Sequence, residues 1–403
     1  MRFLPRRLKD FIRSHWEQHL AASVLCDTAL LHRARTEGWY TLPFPAEEWE
    51  FPRTSELDLN PSSDPCVGLR SLPEGFCIRA EDVLLMGPGA VTVHRRQPIL
   101  ASAGGSMEVF LARKGEILGR EERALLREHL LPSQHRPAHQ FHHDLFPLVP
   151  FYKHYFYHWL VEYLPKVKWL SIINDYYGIQ PHILIPKTSP PFVLESLSLL
   201  GIDKALIRVW PGHIRGADRV WLTNHHPHAR EVNYLVSKRD IEWISGALRE
   251  SVSDWFSRNR QPPHISPFIY VSRQQARSSG CQAGLRRLGN LDQIMPDLVA
   301  RGFDIVDLNA MPLKEQIFIM MNAKLILGPH GAGLTHMIFS DRAAVIEIFP
   351  VSAPLPFFSL LAAASGCTFA AVPADYVEGE LIVSKDVLLR VLDRVLEGIQ
   401  AKG

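Results

Sequence analysis

Hydrophobic and polar positions follow two different patterns along the chain, and the pattern changes near residue 155. In the first 150 residues prolines are frequent, and short apolar runs at 83–86, 91–94 and 108–112 predict strands separated by glycine turns. From residue 155 onward, stretches with helical periodicity alternate with short apolar runs. This alternation predicts βαβ units, in which right-handed crossovers join parallel strands.

The alternation is clearest in the last third of the chain, after a proline-rich stretch at 258–267 that cannot continue a helix. There the pattern predicts strands at 268–272, 304–307, 324–327 and 344–348, helices at 291–300, 313–322, 334–339 and 386–399, and an apolar segment at 355–365. Upstream it predicts helices at 155–164, 192–200 and 238–256 and strands at 182–185, 205–209 and 219–222. We therefore expect a parallel sheet in the C-terminal part and a domain boundary between residues 257 and 258.

Composition and charge narrow the classes of function. The 403 residues are 46% hydrophobic, which is enough for a substantial core, and at ~150 residues per domain they suggest two or three domains. Lys and Arg number 44 and Asp and Glu number 42. The chain lacks the basic excess that is typical of nucleic-acid-binding proteins, so we expect no nucleic-acid partner.

Positive charge is concentrated at the start of the chain. Residues 1–16 carry five basic residues and one acid, a net charge of +4, with apolar residues at helical spacing. This pattern predicts a basic amphipathic helix that either lies on an anionic membrane surface or docks on its own domain. We expect neither a signal peptide nor a membrane span, since no run approaches the ~20 apolar residues needed.

The cysteine content indicates the redox environment of the protein. There are five cysteines, which are scattered and without a Cys-x-x-Cys pair, so no disulfide framework is expected and a reducing environment fits best. We therefore expect a cytoplasmic protein, peripheral on the inner face of the membrane if the first helix binds lipid.

A glycine-rich turn is the most informative segment. Gly-Pro-His-Gly-Ala-Gly at 328–333 follows an apolar strand and immediately precedes a helix. Its glycines let the backbone turn tightly and approach a ligand, and the free N–H groups of a helix start favour phosphate. The order is neither the dinucleotide pattern Gly-x-Gly-x-x-Gly nor a P-loop. The candidate phosphate-binding residues are His330, Gly331, Ala332 and Gly333, and the alternative is a turn beside a helix cap.

Polar side chains also stand at two strand ends. Glu347 lies in an otherwise apolar strand, where it either accepts hydrogen bonds from ribose hydroxyls or forms a buried ion pair. Ser272, Arg273 and Arg277 follow the strand that begins at residue 268, and arginines in that position suit bidentate binding of a diphosphate. The alternative for this second segment is a solvated loop, which also contains Arg286, Arg287 and Asn290.

A third segment carries candidate acid–base chemistry. His158 and Glu162 are four residues apart, so a helix would place them on one face, where one can orient the other as a general base for a hydroxyl. A metal site is not expected here because a third ligand is missing. The alternative is an ordinary amphipathic helix with a Glu162–Lys166 pair.

Together these segments resemble glycosyltransferase family 61, whose microbial members are often described as capsular polysaccharide biosynthesis proteins. The matching motifs are Tyr-His-Trp-Leu-x-Glu-x-Leu-Pro-Lys at 157–166, Tyr-x-Ser-Arg with trailing arginines at 270–287, Leu-Lys-Glu-Gln at 313–316, and Gly-Pro-His-Gly-Ala-Gly-Leu-Thr-His-Met-Ile-Phe with Glu-Ile-Phe-Pro at 328–350. The resemblance covers residues 152–350, about half of the chain.

The resemblance implies an α/β protein of GT-B type, with two Rossmann-like domains facing across a cleft. Residues 258–403 would bind a nucleotide-sugar, by default a UDP-sugar, and residues 17–257 a polysaccharide or glycolipid acceptor. Family members are inverting and generally need no metal, and no other cofactor is implied. The chain has no Asp-x-Asp motif, the carboxylate pair that usually carries the metal for a nucleotide-sugar.

Specific roles follow from this resemblance together with the chemistry of the residues. Arg273, Arg277, His330 and the backbone at 331–333 would stabilise the leaving diphosphate. His158 or Glu162 would remove the proton from the acceptor hydroxyl. Two alternatives remain: an α/β enzyme that uses a dinucleotide cofactor, and an inactive relative that acts as an assembly partner at the membrane.

Overall fold

The computed structural model describes residues 27–51, 68–72, 74–87, 89–95, 97–99, 140–149, 156–224, 236–259, 265–273, 286–352 and 355–401. The predicted helix at 1–16, the predicted strand at 108–112 and the candidate Arg277 lie outside these residues. The described chain is a mixed α/β protein, which confirms the predicted class.

One mixed sheet dominates the first half of the described chain. The strands of this half are β1 (Thr41–Phe44), β2 (Glu47–Phe51), β3 (Gly68–Leu72), β4 (Gly75–Met86), β5 (Val91–His94), β6 (Gln97–Pro98), β7 (Gln140–Pro147), β8 (His182–Pro186), β9 (Ile207–Trp210) and β10 (Arg215–Thr223). The sheet has the order β6-β5-β4-β10-β7-β8-β9, with β1 also paired to β4, while β2 and β3 pair separately. Only β10, β7, β8 and β9 run parallel, so just this portion has the arrangement of a Rossmann-like sheet.

The helices of this half include a kinked segment that carries candidate site residues. They are α1 (Asp27–Glu37), α2 (Phe156–His158), α3 (Lys168–Tyr177), α4 (Pro191–Leu199) and α5 (Lys238–Asn259). Helix α2 continues directly into a π-helical turn (Trp159–Tyr163) and a 3-10 turn (Leu164–Val167) before α3. Pro165 has no N–H to donate to an α-helical ladder, so the single helix predicted at 155–164 is kinked. Its continuation as α3 was not predicted.

The second half is an α/β unit whose strands and helices match the predicted alternation. Its elements are β11 (Phe268–Val271), α6 (Leu291–Ala300), β12 (Phe303–Val306), α7 (Leu313–Met321), β13 (Leu325–Pro329), a 3-10 helix (Ala332–Phe339), β14 (Ala344–Pro350), α8 (Phe357–Ser365), β15 (Thr368–Val377), β16 (Glu380–Val383) and α9 (Lys385–Gln400). The helix predicted at 334–339 is therefore a 3-10 helix. The β15–β16 hairpin was not predicted.

The strand order of this second sheet defines a ligand crevice. The order is β12-β11-β13-β14-β15-β16, and all neighbours run parallel except the antiparallel β16. From β11 the chain moves first to β12 on one side and later to β13 on the other. In open α/β sheets, ligands bind beyond the carboxyl ends of the strands at such a reversal. Here the crevice lies between the loop that begins at Ser272 and the loop that begins at His330.

One apolar core joins the two sheets. It contains Phe146 and Ile183 from the first sheet and Val271 and Ile326 from the second. Helix α5 contributes Ile244 and Leu248 to the same core and packs against α4, α7, α8 and the 3-10 helix. The first sheet thus brings the kinked helix of residues 156–167 against the carboxyl edge of the second.

Candidate functional site

At the reversal of strand order, glycines that lack a side chain let the two loops approach each other closely. A Cβ on Gly328 would lie only 3.2 Å from Val271 Cβ and 3.3 Å from Val271 O. A Cβ on Gly331 would overlap the guanidinium group of Arg273. Glycine at these positions therefore lets β11 and the turn pack closely, and it brings Arg273 directly onto the turn.

Two arginines lie together at this edge. Burial, followed by the positive charge of Arg286, lowers the pKa of Arg273 from its usual value. Both side chains are partly buried, and that of Arg273 lies beside Gly331, at the start of the 3-10 helix. The first N–H groups of a helix have no partner within it, so this edge combines two guanidinium groups with helix N–H donors, as anion binding requires.

His330 and Glu347 form a buried pair behind the turn. His330 Nδ1 contacts Glu347 Oε1, the Glu347 side chain is completely buried, and His330 is 3% exposed. The His330 backbone N–H donates to Ile348 O at 2.7 Å, which ties the turn to β14. Of the two alternatives for Glu347, this geometry supports the buried pair, and the predicted contact with ribose finds no support in it.

The His158–Glu162 pair forms as predicted from the sequence. His158 Nδ1 and Glu162 Oε1 are 2.8 Å apart, and the two side chains are 15% and 13% exposed. Such a bond fixes the orientation of the imidazole. The pair spans a π-helical turn, a feature that is frequent at functional sites.

Lys166 lies four residues after Glu162, in the 3-10 turn that follows the π-helical turn. Burial lowers its pKa to about 8, and the charge of Glu162 opposes that shift. Its ammonium group lies 4.8 Å from the centre of the Tyr163 ring. The sequence showed Lys166 as a helical partner of Glu162 and as the last residue of the motif at 157–166, without a role of its own.

A row of rings connects the two histidine pairs. The ring of His158 lies edge-on to Tyr157 at 5.4 Å, Tyr157 lies 5.9 Å from Phe358, and Phe358 lies 5.1 Å from His330. Phe358 stands at the start of α8, which the sequence placed without assigning it a role. The structure therefore brings the candidate base and the glycine turn to the same region, although about 170 residues separate them in the chain.

Within the described ranges, no three His, Cys, Asp or Glu side chains are grouped so as to hold a metal ion. No helix in those ranges has both the length and the apolar character needed to cross a bilayer.

A family model covers the part of the chain that carries both sides of the site. The family model described as Glycosyltransferase 61 matches residues 156–346. This range begins at the kinked helix of the His158–Glu162 pair and ends one residue before Glu347, so it spans both sides of the site. No curated protein matches the chain.

Proposed function

We propose that this chain, which belongs to glycosyltransferase family 61, moves a sugar with inversion from a UDP-sugar to a hydroxyl of a polysaccharide or glycolipid acceptor, without a metal. One observation carries the proposal: Arg273, beside Arg286, packs on the glycine turn at the reversal of strand order. A nucleoside diphosphate has the charge and size that such a cluster of donors recognises.

The proposed architecture is GT-B, with residues 17–257 on the acceptor side and residues 258–403 on the donor side. Two features support it. The second sheet has a nucleotide-binding strand order. The His158–Glu162 pair, carried by the first half, lies near the turn carried by the second.

On the donor side, the diphosphate would contact Arg273, Arg277 and the backbone of Gly331, Ala332 and Gly333, with Ser272 beside them. Negative charge grows on the leaving diphosphate as the bond to the anomeric carbon breaks. Preorganised guanidinium and N–H donors stabilise that charge without reorganisation. His330, held by Glu347, would support the turn and meet the phosphate with its remaining ring edge.

On the acceptor side, the His158–Glu162 pair would act on the hydroxyl. Its oxygen attacks the anomeric carbon and forms the new glycosidic bond, while the electron pair of the broken bond leaves with the diphosphate. The hydroxyl proton passes to His158 Nε2, with Glu162 orienting the ring, or to Glu162 itself. A single displacement of this kind inverts the anomeric configuration.

A panel of nucleotide-sugars tests the donor class and the metal independence together. We expect slow hydrolysis of a UDP-sugar without acceptor, and the same rate in EDTA, because arginines and helix N–H groups neutralise the diphosphate. Released sugar and UDP are measured by chromatography. Loss of activity in EDTA with recovery in Mn²⁺ would contradict metal independence, and turnover of another nucleotide-sugar class alone would contradict UDP.

We further propose that residues 1–16 bring the enzyme to the cytoplasmic face of the membrane, where the acceptor is made. Attraction to an anionic surface is worth ~1 kcal/mol per basic residue, so deletion of residues 1–16 should strongly reduce sedimentation with anionic liposomes. A full-length variant with the five basic residues replaced by Gln separates charge from apolar contact. Equal binding by the full-length and truncated chains would rule this out.

A further inference from the structure

His336 lies where three parts of the proposed site meet. Its ring stacks on Phe156, with centroids 4.5 Å apart and planes at 9°. Its Nδ1 lies 3.0 Å from Gly333 O, and its Nε2 lies 2.6 Å from Gln316 Oε1. His336 therefore contacts the helix that carries His158, the glycine turn and helix α7 at once.

Gln316 extends this contact to the loop after β12. Its Nε2 donates to Leu308 O and to Met311 O, each at 2.8 Å. Both amide hydrogens are thus used, and only Oε1 is left to face the histidine. Since Oε1 can only accept, the contact is a hydrogen bond when His336 carries its proton on Nε2. This contact ties the loop beyond β12 to the junction of Phe156, His336 and Gln316.

Both ring nitrogens of His336 face oxygen acceptors. Burial lowers the pKa of His336 to about 4, and the hydrogen bond with Gly333 O opposes that shift. A neutral ring has one N–H, so it can donate to Gly333 O or to Gln316 Oε1 but not to both at once. The stack on Phe156 uses the face of the ring, so it does not compete with the hydrogen bond at its edge. A glutamine at this position can supply an N–H near the place of Nε2, whereas alanine cannot.

Helix α4, on the proposed acceptor side, contacts both helices that meet at His336. Glu195 Oε2 accepts a hydrogen bond from Leu313 N at 2.6 Å, which caps the first turn of α7. Phe192, from the same helix, packs edge-on against Phe156 at 5.2 Å. The helix that presents Gln316 and the helix that presents Phe156 are therefore both fixed to α4.

We propose that His336 is a positioning residue that holds the His158–Glu162 pair in register with the glycine turn. The inference rests on the proposed function, in which that pair is the base and the turn binds the donor diphosphate. A displacement of ~1 Å can cost about a hundredfold in rate. Loosening this junction should therefore slow turnover while donor binding by the Arg273 cluster is kept.

The kinetic test compares variants on the two sides of the stack. Phe156→Leu and His336→Ala should each lower kcat by roughly ten- to a hundredfold and leave KM for the UDP-sugar within about twofold. His336→Gln should recover more of the loss than His336→Leu, which fills the space but has no N–H to donate, whereas a merely space-filling role predicts equal recovery. Phe318→Leu is the matched control, because Phe318 lies on α7 but packs on Phe256, and its kcat should stay near wild type. Wild-type kcat in both Phe156→Leu and His336→Ala would overturn the inference.

Hydrogen exchange tests the same coupling without turnover. Phe156→Leu should raise amide exchange both at 156–163 and at 332–339, and Phe318→Leu should raise it at neither. A rise confined to 156–163 would overturn the inference. If the wild-type protein turned over no nucleotide-sugar, the proposed function would fail, and the exchange pattern would still decide whether His336 couples the two segments.

Discussion

Arg273→Ala should weaken the binding of UDP by about ten- to a hundredfold. A charge-assisted contact between arginine and phosphate is worth ~1.5–3 kcal/mol, which corresponds to that change in affinity. Arg273 packs on Gly331 at the open edge of the sheet, so its loss should not prevent folding. Isothermal titration with UDP, with thermal unfolding of the free variant alongside, measures both effects.

Arg301→Ala is the matched control for this change. Arg301 precedes β12, at the opposite edge of the same sheet, where it pairs with Asp393 at 2.8 Å. Its removal takes away the same charge from the same half of the protein but should leave the affinity for UDP unchanged. If Arg273→Ala bound UDP, and every other nucleotide tested, as tightly as wild type, the proposed diphosphate site would be wrong.

His158→Ala should lower kcat by a factor of about 10²–10⁴, the usual contribution of a positioned general base. Nucleotide affinity should stay within about twofold of wild type, because His158 lies on the acceptor side. Initial rates at saturating donor, together with UDP titration, separate the two quantities. Glu162→Gln keeps the size of the side chain and removes its charge, and whichever variant loses more activity identifies the base.

His142→Ala is the control variant, because it removes a histidine that lies outside the proposed site. His142 lies near the amino end of β7, is exposed and pairs with Asp218 at 3.1 Å. That end of the strand faces away from the carboxyl edge, so turnover should be unchanged. Unaltered turnover in both His158→Ala and Glu162→Gln would remove this pair from the mechanism.

Local pattern was sufficient for β11 to β14 because each of these parallel strands is a short apolar run bounded by helices, whereas β15 was missed. The helix predicted at 291–300 is α6 (Leu291–Ala300), and the strand predicted at 324–327 is β13 (Leu325–Pro329). Boundaries shifted by one or two residues where the chain leaves the sheet. The same reasoning could not assemble the first sheet, because β4 pairs with β10 from far along the chain, and nothing local encodes that choice.

Pattern and motif also determined the family and the segments that carry chemistry. The Tyr-His-Trp-Leu-x-Glu stretch and the glycine turn were recognisable as residue types at fixed spacing, and the family match runs from the first to just past the second. The His158–Glu162 contact was predictable as well, since four-residue spacing on a helix brings side chains together even across the π-helical turn.

Only the tertiary structure decided how these segments face one another. The order β12-β11-β13 places Arg273 on Gly331, and the packing of β14 under the turn buries Glu347 against His330. The stack of Phe156 on His336 joins chain segments that no sequence periodicity relates. Spacing along a chain determines which residues share a face of one element, whereas contacts between elements depend on strand order and core packing, which the whole chain sets together.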